Sequence, residues 1–130
     1  LMVAEQAPAG LDPRCGMLKS ASGAPIFFGQ ARKQGLYSEP VLAAGPLSER
    51  DALLLANAII AGLGLPQFRR NSDPSVLALA QFFARLNAMV AHAGPRITLV
   101  EVAPLRLLDE ERGFIALDAR IEQEPHVDGL

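Results

Sequence analysis

The chain has 130 residues, half of them hydrophobic, with twelve basic and fourteen acidic residues and a net charge of −2. That length suits a single globular domain with one core, and with no Lys/Arg cluster interleaved with aromatics the chain lacks the basic surface a nucleic-acid partner requires. Its one cysteine, Cys15, can form neither an internal disulfide nor a thiolate metal set, which fits a reducing cytoplasm.

No targeting segment is visible. The longest apolar windows, Ala52–Leu65 and Val76–Ala93, are interrupted by Asn57, Gln81, Arg85, Asn87 and His92, so neither is expected to span a bilayer. The reading is a soluble protein with no membrane partner.

In chain order, "LMVAEQAP" opens on strand-forming residues with no polar lead-in, so Leu1–Gln6 reads as an edge strand or as a strand whose neighbours belong to a longer chain. The segment around Cys15 is flanked by proline and glycine and reads as loop, with no base at hand to make Cys15 a nucleophile. "GAPIFFG", Gly23–Gly29, is a short apolar run bounded by glycines and predicts a buried strand. "ARKQGLYSEP" reads as loop, and "VLAAGPL" as an extended piece ended by Pro46.

"SERD", Ser48–Asp51, is a capping box and predicts a helix to about Ala61, with Gly62, Gly64 and Pro66 as the stop. A second helix opens with Asp73 as cap and Pro74 in the first turn. Val76, Leu79, Ala80, Phe83, Leu86 and Val90 form its apolar stripe, and Gly94 and Pro95 end it. From Glu122 the chain reads as a polar tail, which divides it into a domain over residues 1–122 and a linker over 123–130.

Between these lies "VEVAPLRLLDEERGFIALDARI", two strand-like runs around a polar turn. Centring the turn on Glu110 and Glu111 makes facing residues sum to about 221. Ala103 then faces Asp118, and Glu101 faces Arg120, all four on one side of the hairpin. Val100, Val102, Ile115, Leu117, Ala119 and Ile121 take the core side. Glu101 and Asp118 are therefore either a metal-binding pair or the solvated face of a hairpin in which Glu101 pairs with Arg120.

Other chemistries lack their residues. His92 and His126 have no metal-binding neighbours at useful spacing. No P-loop or dinucleotide-binding glycine motif is present. The fold class that follows is α+β, an antiparallel or mixed sheet of about four strands with two helices on one face.

Five segments together resemble the ATP-grasp region of acyl-CoA synthetases that form a nucleoside diphosphate, a family related to the succinyl-CoA synthetase β subunit. "VAEQAPAG" is similar to its V-Q-x-M-x-P-x-G strand and "GAPIFFG" to its F-G-P-V-x-x-F-G strand. "GPLSERDA" is similar to its A-P-L-S-x-x-D-A turn, and Phe68-Arg69 stands at its F-R pair. "EVAPL" with "ALDARI" resembles its closing E-x-N-P-L and A-L-D-A-R/K-I.

The resemblance implies the C-terminal subdomain of an ATP-grasp domain, here a fragment of a longer chain. The N-terminal ATP-grasp subdomain and the CoA-binding domains would be its partners. ATP and magnesium would be the parent's cofactors, with Glu5 and Arg69 at the nucleotide and Glu101 and Asp118 at the metal. Two departures bear on this. Ala103 stands at the magnesium-binding Asn and offers no oxygen. "GQARKQG" has Ala31 and Arg32 where the family's glycine-rich turn approaches phosphate, so Arg32 and Lys33 could meet phosphate only as charges. Two functions follow. One is a piece of a working ligase, inactive alone, that supplies one wall of the nucleotide site. The other is a non-catalytic structural or regulatory module in a multidomain acyl-CoA synthetase or acetyltransferase fusion.

Overall fold

The alternation in "RCGMLK" sends Cys15 and Met17 to one side and Arg14, Gly16 and Leu18 to the other, and this segment is the middle strand of the protein. A computed structural model describes residues 13–33, 36–61, 74–93, 96–103, 105–107, 114–116 and 118–124. The elements in order are β1 (Arg14–Lys19), β2 (Pro25–Gln30), β3 (Arg32–Lys33), β4 (Leu36–Tyr37), β5 (Val41–Ala44), α1 (Glu49–Ala61), α2 (Pro74–Ala93), β6 (Ile97–Val102), β7 (Leu105–Leu107), β8 (Phe114–Ala116) and β9 (Ala119–Gln123). Five strands form one antiparallel sheet in the order β5-β2-β1-β6-β9. The α+β class holds, with a wholly antiparallel main sheet.

Cys15 thus lies in the central strand and not in a loop. The flanking Pro13 and the glycine at position 16 disguise a strand whose inward residues are fully buried. "ARKQGLYSEP" also departs from a plain loop, since β3 and β4 pair as a two-residue hairpin, Arg32 with Tyr37 and Lys33 with Leu36. The expected strand at Leu1–Gln6, the helix stop at Gly62–Pro66 and the Asp73 cap lie outside the described residues.

Two rows of side chains cross the covered face of the sheet. Val41, Gly29, Cys15 and Val102 form one, and Ala43, Phe27, Met17 and Val100 the next. They join Ala52, Leu55, Ala56, Ile59 and Ile60 of α1 and Val76, Leu79, Phe83 and Leu86 of α2 in a single core. Each large side chain so buried contributes about 1.5–3 kcal/mol. Residues Val76–Ala93 are long and apolar enough to cross a membrane by length and composition. Four of the stripe residues, Val76, Leu79, Phe83 and Leu86, are buried in the core, while Leu77 and Met89 are exposed.

Local signals place both helices. Ser48 Oγ accepts from the Asp51 N–H at 3.0 Å, and the Asp51 carboxylate accepts from the Ser48 N–H at 3.0 Å, so the capping box is complete. Asn87 is a polar interruption of α2 with a structural task. Its Oδ1 accepts from the Leu47 N–H at 2.9 Å and its Nδ2 donates to the Leu47 carbonyl at 3.2 Å, fixing the entry to α1 against α2.

The C-terminal hairpin keeps the expected register. Pairs from Leu99 and Glu122 through Val102 and Ala119, and on through Leu105 and Ala116 to Leu107 and Phe114, all sum to 221. The ladder is interrupted at Ala103, whose N–H donates to the Asp118 carbonyl at 3.2 Å. The turn at Glu110 and Glu111 lies outside the described residues.

Two expectations about this hairpin are corrected. Ile121 and Ala119 are exposed, Ile121 at 52% of its surface, although Val100 and Val102 on the same side are buried. β9 is an edge strand, and every residue along it is exposed. The tail does not begin at Glu122 either. β9 runs to Gln123, and the Glu124 N–H then donates to the Arg96 carbonyl at 2.7 Å while Lys19 Nζ donates to its carboxylate at 2.7 Å. The Lys19 hydrogen bond and charge, with a smaller part from the Arg96 charge, lower the Glu124 carboxyl from its ordinary value.

A methyl group at Gly29 would overlap Ile59 Cδ1. Gly29→Ala should therefore cost about 1–3 kcal/mol by overpacking, and less in an Ile59→Val background, as read by denaturant unfolding of the four proteins of the cycle.

The Asp51 carboxyl is held below its ordinary value of 3.8, first by the Ser48 N–H and then by the Ser48 hydroxyl. A depressed folded-state value means that its contribution is full above 3.8 and is lost as pH falls through the lower value. The melting-temperature gap between wild type and Asp51→Asn should accordingly close on acidification below that range.

Candidate functional site

The face of the sheet away from the helices carries the polar residues singled out by sequence. Gly16 lies between Phe28 and Glu101 in one row across this face, and Arg120 follows Glu101 on β9. Leu18 lies between Ile26 and Leu99 in the next row, which ends at Glu122. Gly16 is there because its backbone is tightly enclosed. A Cβ would overlap the Val100 carbonyl and come within 2.8 Å of the Phe28 ring.

With only a hydrogen beside it on β1, Glu101 is reached diagonally by Arg14, whose Nη2 donates to Glu101 Oε2. The carboxylate is mostly shielded, its side chain 17% exposed, while Arg14 is 40% exposed. Arg14 Nη1 also lies 3.4 Å from Gln30 Oε1. Gln30 Nε2 in turn donates to the Ser38 carbonyl at 2.9 Å, and Ser38 Oγ accepts from the Ala31 N–H at 3.1 Å. A polar chain therefore runs from the end of β2 through Arg14 to β6.

The expected Glu101–Arg120 ion pair is not the one formed. The two residues face each other in register, but Arg120 donates to the Glu122 carboxylate, two residues along its own strand. Its guanidinium is pushed above the ordinary value by that hydrogen bond and by the Glu122 charge, with a smaller part from Glu101. Glu101 is thus flanked by two arginines, and the one that bonds it comes from the strand that sequence reasoning read as loop. The missed signal was the alternation of Cys15 and Met17 with Arg14 and Gly16.

Asp118 is exposed, and its Oδ1 accepts from the Ala119 N–H at 2.9 Å. It stands just past the last β6–β9 pair, Val102 with Ala119, and Ala103, whose N–H bonds its carbonyl, has no side-chain oxygen. Magnesium requires a near-octahedral shell of oxygen donors. Here one carboxylate is bonded to an arginine, the other caps a backbone amide, and among the described residues no group of three or more His, Cys, Asp or Glu could hold a metal. The donor set does not fit a magnesium ion.

Glu5 and Arg69, expected at a nucleotide, lie outside the described residues, as do the side chains of Arg32 and Lys33. His92 is exposed on the last turn of α2. A wide, open depression of about 520 Å³ lies toward the β1–β2 turn, lined by Ser20, Ser22, Thr98, Leu99 and Glu122 among others. It is on the far side of Leu18 from Arg14 and holds no catalytic grouping.

No protein-family model matches the chain, and no curated protein does. Solved structures do. The dinucleotide-forming acetyl-coenzyme A synthetase 1 of Candidatus Korarchaeum cryptofilum, in complex with coenzyme A, Ca-AMPCP and HgCl⁺, is similar with a TM-score of 0.69 and 21% identity, over 91% of this chain and 51% of that one. The same enzyme with coenzyme A and Mg-AMPPCP, its phosphohistidine segment pointing towards the nucleotide-binding site, matches at 0.68 and 22%, over 91% and 55%. A protein from Pyrococcus horikoshii Ot3 matches at 0.72 and 16%, over 92% and 51%. The chain spans about half the length of these solved chains. At such identities the likeness is one of fold, and it agrees with the fold that the resemblance of the five sequence segments implies.

Cys15 has none of its surface exposed, and burial pushes its thiol well above the ordinary range, which leaves it protonated and unreactive at neutral pH. It should resist a thiol reagent such as DTNB in the native protein and react at once in denaturant. Stoichiometric labelling of the folded chain would contradict the burial of β1.

Proposed function

We propose that the chain is the C-terminal ATP-grasp subdomain of an acyl-CoA synthetase that forms a nucleoside diphosphate, giving its parent one wall of the nucleotide site and turning nothing over alone. The observation that supports this most is the shape of the sheet. One face is sealed by α1 and α2, the other is open and carries Arg14, Glu101, Arg120 and Glu122 among apolar residues, and the fold is similar to that of solved acetyl-coenzyme A synthetase chains over nine-tenths of this chain. A sheet with one solvated face is suited to close against a second body around a ligand.

In this reading the domain extends from residue 1 to the end of the β9 segment, with the residues after it as linker. Its partners are the N-terminal ATP-grasp subdomain and the CoA-binding domains of a cytoplasmic parent. ATP and magnesium are that parent's cofactors. Glu5 and Arg69 are this chain's contribution to the nucleotide, and the metal is held elsewhere in the parent, since the donors around Glu101 and Asp118 do not suffice.

A second reading, a non-catalytic structural or regulatory module of a multidomain acyl-CoA synthetase or acetyltransferase fusion, is favoured by Ala103 and by the arginine bonded to Glu101.

Hydrogen exchange in the presence of millimolar AMPPCP separates the two. The wall reading expects slowed exchange in β1 and β6, with α1 and α2 unaffected, while exchange unchanged everywhere supports the module. In both, the isolated chain should release no ADP and form no acyl-CoA from ATP, coenzyme A and acetate. Turnover by these residues alone would overturn the proposal.

A further inference from the structure

We infer that Arg14 is a built-in counter-cation for Glu101, so that the polar face of this sheet takes no divalent metal and Arg14, more than the missing Asn, is what excludes it. The inference goes beyond the proposed function and is argued from the surroundings of Glu101, whichever reading of the parent is right.

Its first support is the route by which Arg14 reaches Glu101. Gly16 is the direct neighbour of Glu101 on β1, and the backbone and Phe28 packing around it admit no side chain. The outward residues two positions away on that strand are Leu18 and Arg14, and Arg14 spans the diagonal and bonds the carboxylate. Glu101 is mostly shielded and its Oε2 is taken up by Arg14, whose side chain keeps contact with water. A planar, permanently charged fork is well suited to hold that position.

The second support is the charge that an incoming metal would meet. Arg120 faces Glu101 across the β6–β9 ladder and is close enough to have its own proton affinity raised by it. A divalent cation at Glu101 would therefore approach between two guanidinium groups, and it could bind only by displacing Arg14 from a shielded bond. Asp118 does not tip this balance, because it is exposed and its Oδ1 is engaged by the Ala119 N–H.

The third is the separability of two changes. Ala103 removes an oxygen donor, which restoring an Asn would return. Arg14 supplies a positive charge, which an Asn at position 103 leaves in place. The inference therefore predicts different outcomes for the two substitutions.

The test is a Mn²⁺ titration of the full 130-residue chain without nucleotide, followed by water-proton relaxation and by broadening of assigned amide signals. Wild type should show no saturable binding up to millimolar Mn²⁺ and no selective broadening at Glu101 and Asp118. Ala103→Asn alone should behave the same. The double variant Arg14→Gln/Ala103→Asn should gain saturable binding, at least about tenfold tighter than either protein, with broadening centred on Glu101 and Asp118.

Selective broadening in wild type or in Ala103→Asn would overturn the inference, and so would a double variant that keeps its cooperative melt and gains nothing. If the double variant does not fold, Arg14→Met/Ala103→Asn, which keeps an aliphatic stem and removes the charge, takes its place under the same criteria. Since no nucleotide is used, none of these outcomes bears on whether the chain forms a wall of an ATP site.

Discussion

The absence of a side chain at two places in the sheet sets what each face can do. At Gly29, on the covered face, it lets Ile59 of α1 sit directly on the strand, which draws the helix close enough for Cys15, Met17 and Phe27 to be sealed completely. At Gly16, on the open face, it lets Phe28 lie over the neighbouring strand and leaves Glu101 without a side chain beside it on β1. Close packing on one side and the Arg14–Glu101 bond on the other both follow from glycines in adjacent strands. A larger residue at either position would push a layer away, and interiors packed to crystal density do not absorb such a shift without cost.

Much of this was legible where the signal is local. The capping box at Ser48 and Asp51 needs only four residues, and both of its bonds form. The apolar stripe of α2 follows from helical spacing, and its central members are buried. The register of the last hairpin follows from the position of a turn and the period of two, and it extends to β7 and β8 although the ladder breaks at Ala103. Each of these depends on residues near one another in sequence.

What was not legible depends on partners far away. β1 was hidden because a single Arg-Cys-Gly run between proline and lysine looks like a loop until β2 and β6 are placed on either side of it. Once β1 was missed, Arg14 could not be considered as a partner of Glu101, and the only cation in view was Arg120 on the adjacent strand. Ile121 fails for a related reason. Alternation shows which side of a strand a residue faces but not whether anything covers that side, and two helices centred on the inner strands leave the edge strand β9 exposed.

The two faces of one sheet can therefore diverge at different rates. Substitutions on the covered face must satisfy Ile59, Phe27 and Phe83 together, because each is wholly buried and shares neighbours with the others. On the open face Ala103, Arg14 and Arg120 are at least partly solvated, and changing them disturbs no packed layer. A chain can in this way share the fold of solved chains at about one-fifth identity while its open face has a methyl group at Ala103 and meets the Glu101 carboxylate with a guanidinium. The fold is specified by the core side, and similarity of fold carries no assurance about the chemistry of the other.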